Sequence, residues 1–449
     1  MAARRGFVAL ALVALCAAVA AADDALLVTV GDVTATSAVV WVRGASGGAA
    51  RIALAPSGSE LVAAGDVPLA ADRDSTGKRV LTGLAPATRY AYRLTLGAAS
   101  LTGEFVTAPA SDALRPVTFT WSGDLGGGDF CRRVDGGYPI FRAIAKRRPD
   151  FFLFVGDTVY ADRACHGEGL VPGSGFVATT VPQYHAKHRY NRADAAVQEA
   201  FRQTSVYAIW DDHEVRNDFA GSTEPLMPFG RQAFLDYFPI VPPPDEPGRL
   251  YRRFRWGRAL EVFILDTRQY RSPNTMRDGP DKTMLGATQR EWLLDAVAGS
   301  DATWKVVVSS VSLSIPTGRP ERRDSWTDVS AFGVGGTGTG FARERDLILS
   351  TLRRRGVRNL VVVVADVHHA EILRHQPFMG FVLHELVAGP LSATLGRPRP
   401  VDVALLPTTL WSFGGGNNFG EVVAEPERLT VRIVGEEGAV LHTHVIQAE

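Results

Sequence analysis

From residue 26 to 108 apolar and polar positions alternate in short runs, among them Ala38-Val39-Val40-Trp41-Val42, Arg51-Ile52-Ala53-Leu54 and Arg89-Tyr90-Ala91-Tyr92-Arg93-Leu94. Gly, Ser, Pro and Asp separate the runs, so the period is that of strands joined by turns. A β-sandwich is predicted over 23–110, with Trp41 anchoring the core between its sheets. Beyond Pro116 the texture changes to continuous apolar runs alternating with helical stretches, which predicts a layered α/β domain over 115–449. Pro139 opens an amphipathic stretch to Arg148, Thr288 and Glu291 form a capping box ahead of Trp292, and Gly356 stops a helix ending in Arg353-Arg354-Arg355.

The apolar runs share an ending. Val117–Trp121 leads to Asp124, Phe151–Val155 to Asp157, Val206–Trp210 to Asp211-Asp212-His213-Glu214, and Leu360–Val364 to Asp366-Val367-His368-His369. Val262–Leu265 and Val306–Val308 also stop at polar residues, Asp266 and Ser309-Ser310. Ligand sites of open α/β sheets lie beyond the carboxyl ends of strands, so these tips are predicted to converge on one crevice. A single Asp after a strand is ordinarily a turn residue or a helix cap. Several carboxylates gathered with His213 and His368 need counter-charge, and no run of Lys or Arg lies nearby to supply it. Multivalent cations do.

Composition narrows the partners. The 48 basic residues equal the 48 acidic ones, so no global field favours nucleic acid or an anionic membrane. Any phosphate recognition must be local. Residues 1–22 combine Arg4 and Arg5, an apolar run and an Ala-rich end, which predicts a signal peptide of the general secretory or twin-arginine kind. No later apolar stretch is long enough to span a membrane. The expected product is therefore secreted or periplasmic. Cys16 would leave with the leader, and Cys131 and Cys165 stay, either paired or as free buried thiols.

The motifs carry a resemblance. Gly123-Asp124-Leu125-Gly126, Gly156-Asp157-Thr158-Val159-Tyr160-Ala161-Asp162, Asp211-Asp212-His213-Glu214 and Ala365–His369 resemble successive motifs of the calcineurin-like metallophosphoesterases. The segments Trp210–Val215, Leu265–Arg271 and Ala365–His369 are similar to those of PhoD-like alkaline phosphatases and phosphodiesterases. This resemblance implies a four-layer α/β/β/α sandwich preceded by a small all-β domain of the fibronectin type III or immunoglobulin kind. Leu84–Tyr92 is similar to the tyrosine corner of such domains.

The resemblance also implies roles. Asp124, Asp157, Tyr160 and His368 would hold Fe(III), a phenolate suiting a hard trivalent ion. Asp157, Asp212 and Asp366 would hold Ca(II), with Mg(II) or Mn(II) as alternatives, because Asp212 stands where Asn is common and Asp366 where His is common. Ser310 stands where another His ligand is expected, either as a ligand or as space for water. A metal-activated hydroxide would attack phosphorus in line while His213 donates to the leaving oxygen or orients Asp212. Arg216, Asn217 and Arg268 would contact substrate oxygens; His369 and Asp162 are weaker candidates. His185, His188 and Arg189 are expected in a solvated loop that overhangs the crevice.

The implied activity is that of an exported phosphomonoesterase or phosphodiesterase acting on a phosphate ester; protein partners are left open. The alternative is a secreted, catalytically silent binding protein on the same scaffold. No Gly-x-Ser-x-Gly elbow follows a strand of the α/β domain, and a glycosidase using paired carboxylates would need neither Tyr160 nor His368.

Overall fold

The computed structural model describes residues 26–330, 333, 336 and 338–449, so the leader expected over 1–22 lies outside the described residues. The all-β segment contains β1 (Leu27–Gly31), β2 (Ser37–Arg43), β3 (Gly48–Pro56), β4 (Val62–Leu69), β5 (Thr76–Thr82), β6 (Arg89–Leu96) and β7 (Ala99–Val106). Next come β8 (Val117–Ser122), α1 (Ile140–Arg147), β9 (Phe151–Val155), α2 (Val181–Arg192), α3 (Ala195–Gln203), β10 (Ser205–Ile209) and α4 (Met227–Tyr237). The second half runs β11 (Arg252–Trp256), β12 (Leu260–Ile264), α5 (Gly286–Ala298), β13 (Trp304–Val308), the short ribbon β14 (Gly318–Arg319) and β15 (Arg322–Arg323), α6 (Ala342–Arg354) and β16 (Leu360–Val364). It closes with β17 (Ala370–Phe378), β18 (Phe381–Val387), β19 (Pro407–Phe413), β20 (Asn418–Ala424), β21 (Arg428–Gly435) and β22 (Val440–Gln447).

Two sheets form the centre. One has the order β22-β21-β20-β8-β9-β10-β1-β2-β5 and the other β11-β12-β13-β16-β18-β17-β19. Strands β8, β9 and β10 are mutually parallel, as are β12, β13, β16 and β18. Covered on both faces, such strands have no polar side, which is why Phe151–Val155 reads as an unbroken apolar run and is buried throughout. Between the sheets Phe151 packs on Trp256 with ring centroids 4.7 Å apart, and the Trp256 indole donates to the Tyr207 hydroxyl at 3.1 Å. On the outer face Phe152 and Phe154 lie against Phe141 of α1 and Phe201 of α3. Phe263, Leu265, Val307 and Val362 of the second sheet instead pack with Leu293 of α5 and Leu349 and Leu352 of α6. The result is the four-layer α/β/β/α sandwich expected from the sequence.

Local signals explain the helix ends only in part. Asp194 caps α3 by accepting from the Ala196 and Val197 amides, and Arg148 ends α1 with φ of 49°. The predicted capping box fails at α5, which starts at Gly286, so Thr288 is already inside it. Its first amide, Gly286, is met locally by the Thr283 hydroxyl at 2.8 Å, while Glu344 of α6 accepts from Met284 and Leu285 just before it. A nearby hydroxyl and a distant carboxylate together take the role of the cap.

In the all-β part, β4-β3-β6-β7 form their own sheet, but β1, β2 and β5 extend the first central sheet through the parallel pairing of Gly31 with Val206. The tyrosine corner forms, with the Ala85 amide donating to the Tyr90 hydroxyl at 2.9 Å. Trp41 is buried but is not simply an inter-sheet anchor. Its indole donates to the Asp236 carbonyl at 2.6 Å, and its ring lies 5.6 Å from Tyr237 and under the Arg192 guanidinium. The region expected as a solvated loop is mostly helix α2, in which His185 and His188 are buried and Arg189 pairs with Asp74. His185 faces Asp236 at 3.0 Å, so neither histidine reaches a crevice.

Candidate metal centre

The tips of both sheets meet. Asp124, Asp157, Asp366 and His368 have φ of 64°, 48°, 64° and 61°. Left-handed backbone is disfavoured for residues with a Cβ by about 1–2 kcal/mol each, a strain that surrounding structure must hold in place. The four residues occupy three turning points, after β8, β9 and β16. Glycine gives them room: a Cβ on Gly389 would stand 2.7 Å from Asp124 Oδ2, and one on Gly127 2.6 Å from the Tyr160 ring.

Ligand-type atoms of Asp124, Asp157 and His368 lie within 4.8 Å of one another, and so do those of Asp157, Asp212 and His213, with Asp157 common to both groups. Tyr160 places its hydroxyl 3.0 Å from His368 Nε2 and stacks its ring on His213 at 4.1 Å. His368 donates from Nδ1 to the Thr394 carbonyl at 2.6 Å, which leaves Nε2 as the acceptor nitrogen, 3.6 Å from Asp124. Asp366 lines the same crevice, a cleft of about 350 Å³ that also contains Asp157, Tyr160, Asp212, His213 and His368. Both oxygens of Asp124 and Oδ2 of Asp366 are buried without a hydrogen-bond partner among the described residues. Burial first, and neighbouring aspartates second, push the carboxyls of Asp124, Asp157 and Asp366 well above the usual carboxylate range. The bed is short of positive charge.

His213 is better provided. Burial alone would lower its pKa, but the Asp212 and Asp162 carboxylates raise it to about 9. Its Nδ1 lies 2.6 Å from Asp162 Oδ1, while Asp162 Oδ2 accepts from the Asn217 amide at 2.9 Å. Asp162 therefore fixes both the imidazole and the loop beyond it, a stronger position than its sequence earned.

Beneath this bed lies a second acidic group that is fully neutralised. Arg268 donates to Asp211 at 2.7 and 2.9 Å and to Asp324 at 2.8 and 2.7 Å, and Arg271 reaches Asp324 at 2.7 Å. These carboxylates hold the Arg268 guanidinium well above its ordinary value in spite of complete burial. Arg268 consequently has no access to substrate, which corrects the expectation of oxygen contacts. Ser310 also turns to this layer, its hydroxyl donating to Asp211, and is not directed at the tips. Arg216 is drawn 3.1 Å from the buried Glu224 and is not among the residues lining the crevice. Asn217 does line it. His369 is buried against Glu371 at 3.1 Å. Sequence reasoning missed Asp324 and Asp218, which form a third acidic group with Asp212 where the two layers meet. It also missed Arg163 and Arg399 at the rim of the cleft. Their partners are distant in the chain, so no local pattern marks them.

Cys131 and Cys165 form a disulfide with Cα atoms 5.9 Å apart, tying the loop after β8 to the loop after β9. Among the described residues no helix is long and apolar enough to cross a membrane.

Alkaline phosphatase D of Bacillus subtilis (strain 168) is 27% identical over 320 residues, covering 64% of this chain and 52% of that protein, so the chain spans about half the length of this curated relative. A solved structure of PhoD superposes with a TM-score of 0.76 at 20% identity, covering 94% of this chain and 90% of that one. Purple acid phosphatase PPD1 from yellow lupin (Lupinus luteus) does so with 0.65 at 13% identity, covering 94% and 74%. At those identities the two structures speak for the fold. Residues 18–109 match the N-terminal domain of PhoD-like phosphatases, and with residues 126–409 matching the phosphatase domain itself, the chain belongs to the PhoD-like phosphatase family.

Proposed function

We propose that the chain is an exported, metal-dependent phosphoric ester hydrolase, acting on phosphomonoesters or phosphodiesters in the manner of its alkaline phosphatase D relative. The observation that carries the reading is the pair of buried, unpartnered carboxylates Asp124 and Asp366 beside Asp157 and Asp212. Four ionised carboxylates in one buried bed are untenable alone, and their donor set fits hard cations. Asp124, Asp157, Tyr160 and His368 would hold Fe(III); Asp157, Asp212 and Asp366 would hold Ca(II), with Mg(II) or Mn(II) able to replace it. When bound, two such ions supply charge for the phosphoryl oxygens and an activated water.

The protein's own groups do the rest. His213, tethered by Asp162, stands at the wall of the cleft as a protonated imidazole able to give its proton to the leaving oxygen. Asn217 offers an amide to a phosphate oxygen from the same wall. The Cys131–Cys165 disulfide supports export, since such bonds persist in oxidising compartments. The silent-scaffold alternative loses support because each position the ligand set requires is filled.

The test is metal analysis of the purified chain together with release of p-nitrophenol from mono- and bis(p-nitrophenyl) phosphate. Bound metal and turnover abolished by chelator are expected. Metal-free protein that stays inactive after addition of iron and calcium would overturn the proposal.

A further inference from the structure

The rim of the cleft has a chemistry of its own. Arg163, Arg399, Asn217, Thr317 and Thr394 border the acidic floor, and among the described residues lining it Ala393 is the one aliphatic side chain. The Tyr160 ring is stacked on His213 and closely packed by Gly127, so it offers little room for a nucleobase or aryl leaving group. Both arginines are exposed, and neither pairs with a carboxylate among the described residues. The only hydrogen bond from the Arg399 guanidinium goes to the Pro316 carbonyl at 3.1 Å. Arg163 sits on a braced loop: Lys187 Nζ donates to its carbonyl at 2.6 Å and to that of Ser174 at 3.0 Å, and the disulfide at Cys165 follows two residues on. Arg163 lies within electrostatic reach of His213 and Arg399 within reach of His368.

We infer that Arg163 and Arg399 select phosphate esters carrying a second phosphate elsewhere on the same small molecule. The inference rests on the hydrolase reading and names its substrate class. A guanidinium presents a rigid fork that matches phosphate oxygens two at a time, and a charged hydrogen bond to it is worth about 10- to 100-fold in binding. An acidic floor that is itself neutralised by cations leaves these two rim charges without anions of their own. A substrate with one phosphate satisfies the floor alone; a substrate with two satisfies floor and rim together.

The test uses the full, metal-loaded chain and a matched pair, fructose 6-phosphate and fructose 1,6-bisphosphate, followed by phosphate release. Wild type is expected to favour the bisphosphate by at least about 10-fold in kcat/KM, chiefly through KM. The Arg163→Ala/Arg399→Ala double variant is expected to fall to the statistical preference of about 2-fold for two equivalent esters, with Arg163→Lys/Arg399→Lys recovering part of the loss. Raising salt should erode the wild-type preference, because the rim is open to solvent. A wild-type ratio near 2 overturns the inference while leaving the hydrolase reading intact. So does a ratio unchanged in the double variant, which would mean that the arginines hold the scissile phosphate or merely offset the floor. Failure to hydrolyse either sugar phosphate, or p-nitrophenyl phosphate, overturns the hydrolase reading and this inference with it.

Discussion

Two acidic groups lie one above the other in this protein and are treated in opposite ways. The lower, Asp211 and Asp324, is clamped by Arg268 and Arg271 through bonds of 2.7–2.9 Å, with Ser310 donating to Asp211 and Asn274 to Asp324. The upper, Asp124, Asp157, Asp212 and Asp366, receives backbone amides at Asp157 and Asp212 and the Arg268 guanidinium only at 4.0 Å from Asp212, and leaves three oxygens unpartnered among the described residues. Asp124, Asp157 and Asp212 are as buried as Asp211 and Asp324, and Asp366 is half-buried. The difference teaches that acidity alone does not mark a metal site. A buried carboxylate with an internal guanidinium is scaffolding; one that waits for charge from outside is a ligand.

The contrast can be broken most sharply from below. Arg268→Met strips two buried carboxylates of their partner and is expected to destabilise the protein by about 3–5 kcal/mol, read from urea unfolding. A loss under about 1 kcal/mol would mean that the lower layer is not held by charge. Asp366→Asn does the reverse in the upper layer: the metal-free variant should melt above metal-free wild type, since it sheds an unpaired buried charge. The same substitution should weaken binding of the second cation and lower kcat/KM by about 10²–10³-fold, or roughly 3–4 kcal/mol of transition-state stabilisation. A variant that loses stability and keeps activity would reverse the assignment of the two layers.

Asp162→Asn should cost about 10- to 100-fold in kcat/KM, because Asp162 positions His213 without touching substrate. Its pH dependence sharpens the point. The folded pKa of His213 is raised from 6.5 to about 9 in the metal-free protein, so the stabilisation from its carboxylate partners is fully present below 6.5 and is lost as pH rises through 9. In Asp162→Asn that loss should begin at lower pH, as followed by histidine NMR titration. A titration identical to wild type would remove Asp162 from the account. The smallest effect belongs to a pair outside the centre. Burial opposes the charge on Glu421, but Arg147 and Arg432 hold its pKa below 4.5, so its contribution is present above that value and fades as pH falls. Arg432→Ala should therefore reduce stability at pH 7 by about 0.5–1 kcal/mol, since its side chain is partly exposed, and the deficit should shrink towards pH 3. No difference between the variants at pH 7 and pH 3 would show that this pair contributes nothing.

Much of this was legible in the chain because parallel strands write themselves as unbroken apolar runs, and each run named its own tip. Asp124, Asp157, Asp212, His213, Asp366 and His368 stood at those tips, Tyr160 was added by the family resemblance, and all seven face one cleft or its floor. What stayed hidden depends on contacts between distant residues. Nothing around Arg268 announces that Asp324, 56 residues on, will bury it. Helix α2 carries His185, Lys187, His188, Arg189 and Arg192 with no apolar stripe, so its sequence reads as a loop; docking against Tyr237 and the loop carrying Arg163 makes it a helix. The start of α5 was misread because Thr283, not Thr288, meets its first amide, with Glu344 from across the layer holding the two residues before it. The left-handed turns at the tips have no residue signature, because three of them are aspartates that serve equally as ordinary turn residues.

The pairing of Gly31 with Val206 has a practical corollary for anyone who would trim the protein to its catalytic half. Strand β10 would then show a bare row of amides and carbonyls to the solvent, the kind of open flank that recruits other chains into mixed sheets. A fragment beginning near residue 115 should therefore clump rather than stay dispersed, and the all-β segment acts for its neighbour as a selvedge does for cloth, keeping the weave from catching.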